Sequence, residues 1–458
     1  MCLGIKLIIY LCMRNFDDTI AAPATPAGIS ALAVIRVSGR DSIKGVNNCF
    51  TKDISNADGY TMHYGHIADG KTTIDEVVVS VFRAPHSYTG EDSVEISGHG
   101  SPYIIGRILQ TLLKNGIRMA DAGEFTMRAF LNKKLDLAQA EAVADMINSQ
   151  SEAGLQMAIS QMRGGFSEDI ALLRQELIDF AALIELENDF GEEDVEFANR
   201  PKLQALVEKL LTRIEELRTS FVKGNVLKNG IRTVISGKPN AGKSTLLNAL
   251  LKEDRAIVSD IEGTTRDSIE EVLTIGGVQF RLIDTAGLRE GQDVIEKMGV
   301  ERTKAHMIDA DLLIYLFDAQ TTSEEQLKEA ISQLPSAKNQ VLVANKSDLA
   351  KDKRYAEKTI LISAKNGQID SLLDALENIA STYEFGNEIL VNNARHADAL
   401  AKSSEALQAV LHGLDSGISS DLVALDIRQA LHHLGLITGE VTTDDLLESI
   451  FSRFCIGK

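Results

Sequence analysis

Arg232-Thr233-Val234-Ile235-Ser236-Gly237-Lys238-Pro239-Asn240-Ala241-Gly242-Lys243-Ser244 passes from an apolar run through a glycine-punctuated loop into a helix-like stretch, residues 244–252. Residues 237–244 satisfy GxxxxGK[ST] in the strand–loop–helix context that gives the pattern its meaning. Its glycines let successive backbone N–H groups converge on phosphate, and the helix N-terminus adds its dipole. On this reading Lys243 reaches the β- and γ-phosphates, Ser244 ligates Mg²⁺, and Ala241, Gly242 and Thr245 complete the cradle. Apolar runs at 232–236, 278–283, 312–317, 340–344 and 359–362 alternate with helical stretches, so this part of the chain reads as βαβ units with a mostly parallel sheet.

Further motifs follow in order. Gly263-Thr264-Thr265-Arg266-Asp267 supplies a threonine, Thr265, able to close over the γ-phosphate and Mg²⁺. Asp284-Thr285-Ala286-Gly287, after the 278–283 run, puts a carboxylate beside the metal and a glycine N–H toward the γ-phosphate. Asn345-Lys346-Ser347-Asp348 selects the base, because the Asp348 carboxylate can accept both N1–H and N2–H of guanine, a pair adenine lacks. Ser363-Ala364-Lys365 then covers the guanine O6. The residue after Asp-Thr-Ala-Gly is Leu288 rather than a glutamine able to orient water. Either turnover is slow and the protein acts as a switch, or another group takes that role. A substitute for an arginine finger should be a cation near the β–γ bridge, and the side-chain carbonyl of Asn240 could help hold one. A turn-stabilising asparagine after Pro239 is the equal alternative.

Outside this module the 458 residues predict about three domains. The chain carries 47 Lys and Arg against 66 Asp and Glu, a formal charge of −19, the wrong sign for gripping a polyanion unaided. The excess acid lies in 126–227 and 384–458, which share helical periodicity and suggest one helical domain split in sequence. Before them, β-rich runs at 31–37, 76–82 and 94–96 and a helix-like 103–115 read as α+β. Leu131, Leu135, Ala138, Ala142 and Met146 then recur at helical spacing, as do residues in 170–190 and 203–221. Leu400, Leu407, Leu411, Leu422, Leu425 and Leu431 are expected on inner helix faces, and the acidic run 185–196 reads as a solvated loop. The resulting division is 13–125 (α+β), 126–227 plus 384–458 (helical) and 228–383 (α/β). Cys2, Cys12, Cys49 and Cys455 lack CxxC or Cys/His spacing, which points to a reducing cytosol rather than a disulfide or zinc framework. The longest apolar run, 7–13, is too short to span a bilayer, so no membrane role is expected. Translation starting at Met13 would leave residues 1–12 as an unstructured extension.

Four stretches resemble one family. They are Ala24-Thr25-Pro26 leading to Ile35-Arg36-Val37-Ser38-Gly39, then Tyr88-Thr89-Gly90-Glu91-Asp92 with Gly98-His99-Gly100, then residues 123–142 beginning Gly123-Glu124-Phe125-Thr126, and the terminal Ile450-Phe451-Ser452-Arg453-Phe454-Cys455-Ile456-Gly457-Lys458. With the motifs between them, they resemble the MnmE (TrmE) family of tRNA-modification GTPases from about Asp18 to Lys458. The resemblance implies an α+β tetrahydrofolate-binding and dimerisation domain, a discontinuous all-α domain and an inserted P-loop GTPase domain. It implies a cytoplasmic homodimer that acts with an FAD-containing partner, MnmG (GidA), in a heterotetramer. The product implied is an aminomethyl or carboxymethylaminomethyl group at C5 of the wobble uridine of certain tRNAs.

By the same resemblance, 5-formyl- or 5,10-methylene-tetrahydrofolate meets Arg36, Glu95, Lys134 and, close by, Lys458. Without the family, Arg36 and Glu95 read as edge-strand charges or an ion pair, and Lys134 as a helix-face lysine. The resemblance also places K⁺ between the phosphates, held by Asn240, Ser259, Ile261 and Thr264, with Asp260, Glu262 and Gly263 in the same nucleotide-binding loop. Glu296 matches the family's water-orienting glutamate, acting beside Lys243 and Thr265 once two G domains meet; alone it reads as a surface helix charge. Cys455 reads as a small packed residue rather than a nucleophile. A ribosome-assembly GTPase would share residues 237–365 but calls for a basic RNA-binding module or a second P-loop, and the sequence has neither. A pure nucleotide switch stays open on Leu288.

Overall fold

The computed structural model describes residues 17–189, 200–252, 257–258, 271–283, 307–308, 310–335, 339–350, 355, 359–383, 386, 388–416 and 418–458. They group into two compact units, one spanning 1–144, 161–207 and 405–458, the other 145–160 and 208–404.

The first unit opens with β1 (Ile20–Pro23), β2 (Ser30–Ser38), α1 (Ser42–Asn47), β3 (Thr61–Asp69), β4 (Thr72–Phe82), β5 (Ser93–Gly100), α2 (Pro102–Lys114) and β6 (Arg118–Met119). The strands form one sheet in the order β3-β4-β5-β2-β1-β6, antiparallel except for the parallel β1–β6 pair. Alternation sets its two faces. Val77, Val79 and Val81 of β4, Val94 and Ile96 of β5, and Ile35 and Val37 of β2 are buried against Ile43 and Val46 of α1 and Ile108 and Leu112 of α2. The other face brings Arg36, Glu95 and Ser80 into cross-strand register.

Helices follow: α3 (Glu124–Leu131), α4 (Leu137–Asn148), α5 (Glu152–Met162), α6 (Gly165–Asp189) and α7 (Arg200–Asn229). The helical spacing around residue 131 is interrupted between α3 and α4. Lys133 turns left-handed at φ 57°, and Asp136 and Gln139 cap α4 reciprocally, each side-chain oxygen accepting from the other's backbone N–H at 2.8 and 2.9 Å. Helix α6 continues to Asp189, so the start of the acidic run is helical, while 190–199 lie outside the described residues.

The second unit contains β7 (Ile231–Ser236), α8 (Lys243–Leu250), β8 (Ile257–Val258), β9 (Glu271–Ile275), β10 (Val278–Ile283), β11 (Leu312–Asp318), α9 (Glu324–Ser332), β12 (Asn339–Asn345), β13 (Thr359–Leu361) and α10 (Asp370–Ser381). The order β13-β12-β11-β7-β10-β9-β8 is parallel from β13 through β10, with β9 and β8 added antiparallel. Leu312, Ile314 and Leu316 of β11 pack with Leu246, Leu247 and Leu250 of α8 and Leu372, Leu373 and Leu376 of α10. Tyr315 and Phe317 point the other way, toward Leu327 of α9. Both faces of β11 are therefore buried, which is why it reads as an unbroken apolar run.

The chain ends in α11 (Ala394–Asp415), α12 (Ser420–Thr438) and α13 (Asp444–Phe451). Leu400 and Leu407 are buried as expected, but Leu422 and Leu425 are not: they are 53% and 46% exposed on the outer side of α12, whose inner stripe is Val423, Ala424 and Ile427. No helix among the described residues is long and apolar enough to cross a membrane.

Candidate functional site

In a parallel α/β sheet, ligands collect beyond the C-terminal strand edge, and three of the sequence motifs, at 237–244, 345–348 and 363–365, converge there. Residue 237 follows β7 directly. It adopts φ 154°, and a Cβ added there would lie 2.0 Å from the Leu316 carbonyl oxygen. Asn240 is left-handed at φ 62°, and Gly242 caps α8 at φ 98°. A Cβ on Gly242 would meet the Asn345 amide nitrogen at 2.2 Å, so both glycines are there to let the backbone come close. Lys243 folds back over the loop, its Nζ donating to the carbonyls of Gly237 (2.8 Å) and Lys238 (3.2 Å). Ser244 and Thr245 are exposed in the first turn of α8.

Asn345, the last residue of β12 and 2% exposed, ties three motifs together. Its Nδ2 donates to the Ala241 carbonyl at 2.9 Å, and its Oδ1 accepts from the Ala364 N–H at 3.0 Å. Lys346 donates to the Asn240 carbonyl at 3.0 Å and pairs with Asp318 at 2.7 Å. Asp318 closes β11 and has no counterpart in the sequence reading. Burial pushes its carboxyl up, yet the Lys346 bond and backbone N–H donors outweigh it and hold it below the ordinary 3.8. Ser363, 1% exposed, donates to Asp348 Oδ1 at 2.7 Å and fixes a carboxylate that is itself exposed. Lys365, also exposed, follows Ala364 in a short 3-10 turn. Ser259, Asp260, Ile261, Glu262, Gly263, Thr264, Thr265, Asp284, Thr285, Ala286, Gly287 and Glu296 lie outside the described residues.

The first unit holds the other candidate group. The Arg36 guanidinium pairs with Glu95 at 2.9 and 3.0 Å, confirming the ion pair that the residues alone suggested. It also lies 5.0 Å from the Tyr88 ring centroid and 5.8 Å from that of Phe125, and donates to the Gly457 carbonyl at 3.3 Å. Lys458 Nζ sits 5.5 Å from the same Tyr88 ring. Burial pulls the Lys458 ammonium below its ordinary 10.5, the Arg36 cation adds to this, and Glu95 opposes it. Lys134 is exposed and donates to the Pro85 carbonyl at 3.2 Å, in the β4–β5 loop that also carries Tyr88. Tyr88 went unread as a site residue; its hydroxyl bonds Thr126 at 2.8 Å. Cys455 is exposed, not packed.

This fold, with a phosphate loop clamped to an Asn-Lys-x-Asp segment, defines a P-loop protein of the guanine-nucleotide-binding class. A sequence profile described as the MnmE helical domain matches residues 137–455, and one described as the N-terminus of the GTP-binding protein TrmE matches 19–134. The chain is 50% identical over 473 residues to the tRNA modification GTPase MnmE of Christiangramia forsetii, covering 97% of this chain and 100% of that one. It is 52% identical over 455 residues to the protein of the same name from Cytophaga hutchinsonii, covering 97% and 99%. The chain belongs to the MnmE family of tRNA modification GTPases. Among solved structures, the G domain of the T. maritima FeoB iron transporter aligns with 33% of this chain at 25% identity and a TM-score of 0.24, too slight to bear on function.

Proposed function

We propose that this protein hydrolyses GTP in the service of tRNA wobble-uridine modification, as a cytoplasmic homodimer working with an MnmG-type flavoprotein. The observation that carries the reading is Asn345, which holds the phosphate loop through Ala241 and the base-covering segment through Ala364. A nucleotide bound there meets, at its two ends, segments that this one buried residue ties together. Lys243 exchanges its two loop carbonyls for phosphate oxygens, and Asp348, oriented by Ser363, accepts from the guanine edge. Ser244, with Thr265 and Asp284, offers the hard oxygen donors that suit Mg²⁺. Mg²⁺ held by these donors would supply charge neutralisation to the phosphates during transfer. Asn240, Ser259, Ile261 and Thr264 supply oxygens for K⁺, and Glu296 orients water in place of the glutamine that Leu288 replaces. The work divides among 13–125, 126–227 with 384–458, and 228–383.

Steady-state phosphate release in matched KCl and NaCl, with ATP as control, tests this. Turnover of GTP in K⁺ is expected to exceed that in Na⁺ by about tenfold or more, with ATP unprocessed. Equal rates in both salts overturn the cation assignment, and a Glu296→Ala variant with undiminished K⁺-stimulated turnover removes Glu296.

The same proposal assigns tetrahydrofolate, as its 5-formyl or 5,10-methylene form, to Arg36, Glu95, Lys134 and Lys458. An acid for the aminopyrimidine N–H groups, cations for the tail carboxylates and the rings of Tyr88 and Phe125 suit that ligand. Arg36→Ala is expected to weaken 5-formyl-tetrahydrofolate binding by about 10- to 100-fold in calorimetric titration. Unchanged affinity counts against the site.

A further inference from the structure

Asp318 belongs to none of the sequence motifs, yet it stands among the polar contacts of the nucleotide site. The parallel register sets it, at the end of β11, beside Asn345 at the end of β12, and its carboxylate reaches Lys346. Both carboxylate oxygens are used: Oδ2 accepts from Lys346 Nζ at 2.7 Å, and Oδ1 accepts from the Gln320 N–H at 2.8 Å. The turn after β11 has other fastenings. The Thr322 N–H donates to the Asp318 carbonyl at 3.1 Å, and the Tyr355 hydroxyl donates to the Ala319 carbonyl at 2.7 Å. What the carboxylate adds is a fixed position for one ammonium.

That ammonium reaches the phosphate loop. Lys346 Nζ also donates to the Asn240 carbonyl at 3.0 Å, and both residues are left-handed, Lys346 at φ 61° and Asn240 at φ 62°. Residues with a side chain keep this conformation only where their surroundings impose it. The turn that contains Asn240 has a long bond of its own, from the Ala241 N–H to the Lys238 carbonyl at 3.3 Å. Lys346 and, through the Ala241 carbonyl, Asn345 fasten this turn to the end of β12. Asn345 is held by burial. Lysine instead carries a strongly hydrated charge on a flexible stem, so Lys346 needs a partner to keep it from turning to water.

We infer that Asp318 is a positioning residue of the nucleotide site, holding the Lys346 ammonium against the Asn240 carbonyl so that the phosphate loop is already turned before nucleotide arrives. The inference rests on the reading of residues 237–244 as the phosphate loop. A loop set in advance loses less freedom when phosphate binds, and the saving appears as affinity. The effect belongs to the phosphate end, because Asp348, which faces the base, is oriented by Ser363.

Calorimetric titration of the full chain with GDP and with inosine diphosphate tests this. Asp318→Asn keeps an acceptor for Gln320 but loses the charge, and is expected to weaken GDP about tenfold. Inosine diphosphate, which lacks the 2-amino group, is expected to weaken by the same factor. Lys346→Met breaks the same contact from the other side, so the test does not depend on Asp318→Asn folding; its loss should be at least as large. The double variant should lose no more than Lys346→Met alone. Asp318→Glu, which restores the charge, should bind GDP within about threefold of the parent. A role confined to the stability of β11 would lower the unfolding temperature without this coupling. GDP affinity within about twofold of the parent in Asp318→Asn or in Lys346→Met overturns the inference, as do additive losses in the double variant. A loss for GDP not shared by inosine diphosphate also overturns it, since Asp318 then acts through the base. Lys243→Ala separates this result from the underlying reading. If that variant keeps GDP binding, residues 237–244 are not the phosphate loop and the inference falls with them; if it abolishes binding while Asp318→Asn does not weaken it, only the role of Asp318 is lost.

Discussion

Asp348→Asn will lower GTP affinity by about 100- to 1,000-fold and move the preference to xanthosine triphosphate. The carboxylate offers acceptors only, and guanine presents two donors to it, N1–H and N2–H. Hydrogen bonds to charged groups contribute ~1.5–3 kcal/mol each, and ~1.4 kcal/mol is tenfold in affinity. An asparagine keeps one acceptor for N1–H but turns a donor toward the guanine amine, so one bond is lost and a donor–donor clash replaces it. Xanthine carries a carbonyl where guanine carries that amine, and the asparagine then matches it. The supporting contact survives the exchange, because the Ser363 hydroxyl, which now donates to Asp348 Oδ1 at 2.7 Å, can donate or accept. Titration with fluorescent GTP and xanthosine analogues gives the answer. A variant that keeps GTP within about threefold of the parent and ignores xanthosine triphosphate would show that Asp348 does not read the base.

The parts of this molecule that were legible in sequence are those where one physical demand dominates. Strands β7, β10 and β11 are largely buried on both faces, so apolar runs mark them to within a residue or two. Residues 237–244 are legible because phosphate needs backbone N–H groups, and only glycine lets residue 237 pass so near Leu316 that a Cβ would lie 2.0 Å from its carbonyl oxygen. Strand β3 was not legible. It is the sheet edge, with Met62 and Tyr64 exposed and few buried positions to betray a period. Strand β9 went unread although Gly276 and Gly277, both at positive φ, form the two-residue turn that marks a hairpin with β10. The break between α3 and α4 keeps helical spacing across a turn, so periodicity passes over it. Tyr88 and Asp318 act through partners far along the chain, Arg36 and Lys346, and no local pattern announces such pairs. The family resemblance supplied the folate positions; composition and spacing did not.

Arg128→Met will destabilise the first unit by about 3–5 kcal/mol at neutral pH, and by much less in acid. Arg128 is 1% exposed and pairs with Asp18 at 2.6 Å, Glu124 at 2.9 Å and Glu91 at 3.2 Å. Glu124 is itself 2% exposed, so methionine strands a buried carboxylate that Arg118 alone must balance. Burial pushes the Glu124 carboxyl up, but Arg118, the Asp121 N–H and Arg128 outweigh it and hold it below the ordinary 4.5. Asp18 is likewise held below 3.8: burial raises it, and Arg118 and Arg128 more than reverse this. A carboxyl depressed in the folded state contributes stability that is complete above its unfolded value and lost as pH falls through its folded one. The parent therefore loses stability below about pH 4, whereas the variant gains relative to it there, since protonation relieves its uncompensated acids. Urea unfolding at pH 7 and pH 4 measures both, and a gap that does not narrow in acid refutes the charge argument. Lysine will not rescue, because one ammonium cannot span three carboxylates that a guanidinium fork reaches. Arg128 joins the chain before β1, the β4–β5 loop and α3, and Tyr88 lies three residues from Glu91. Loosening this joint should cost folate affinity as well as stability, although Arg128 is not among the residues assigned to the ligand.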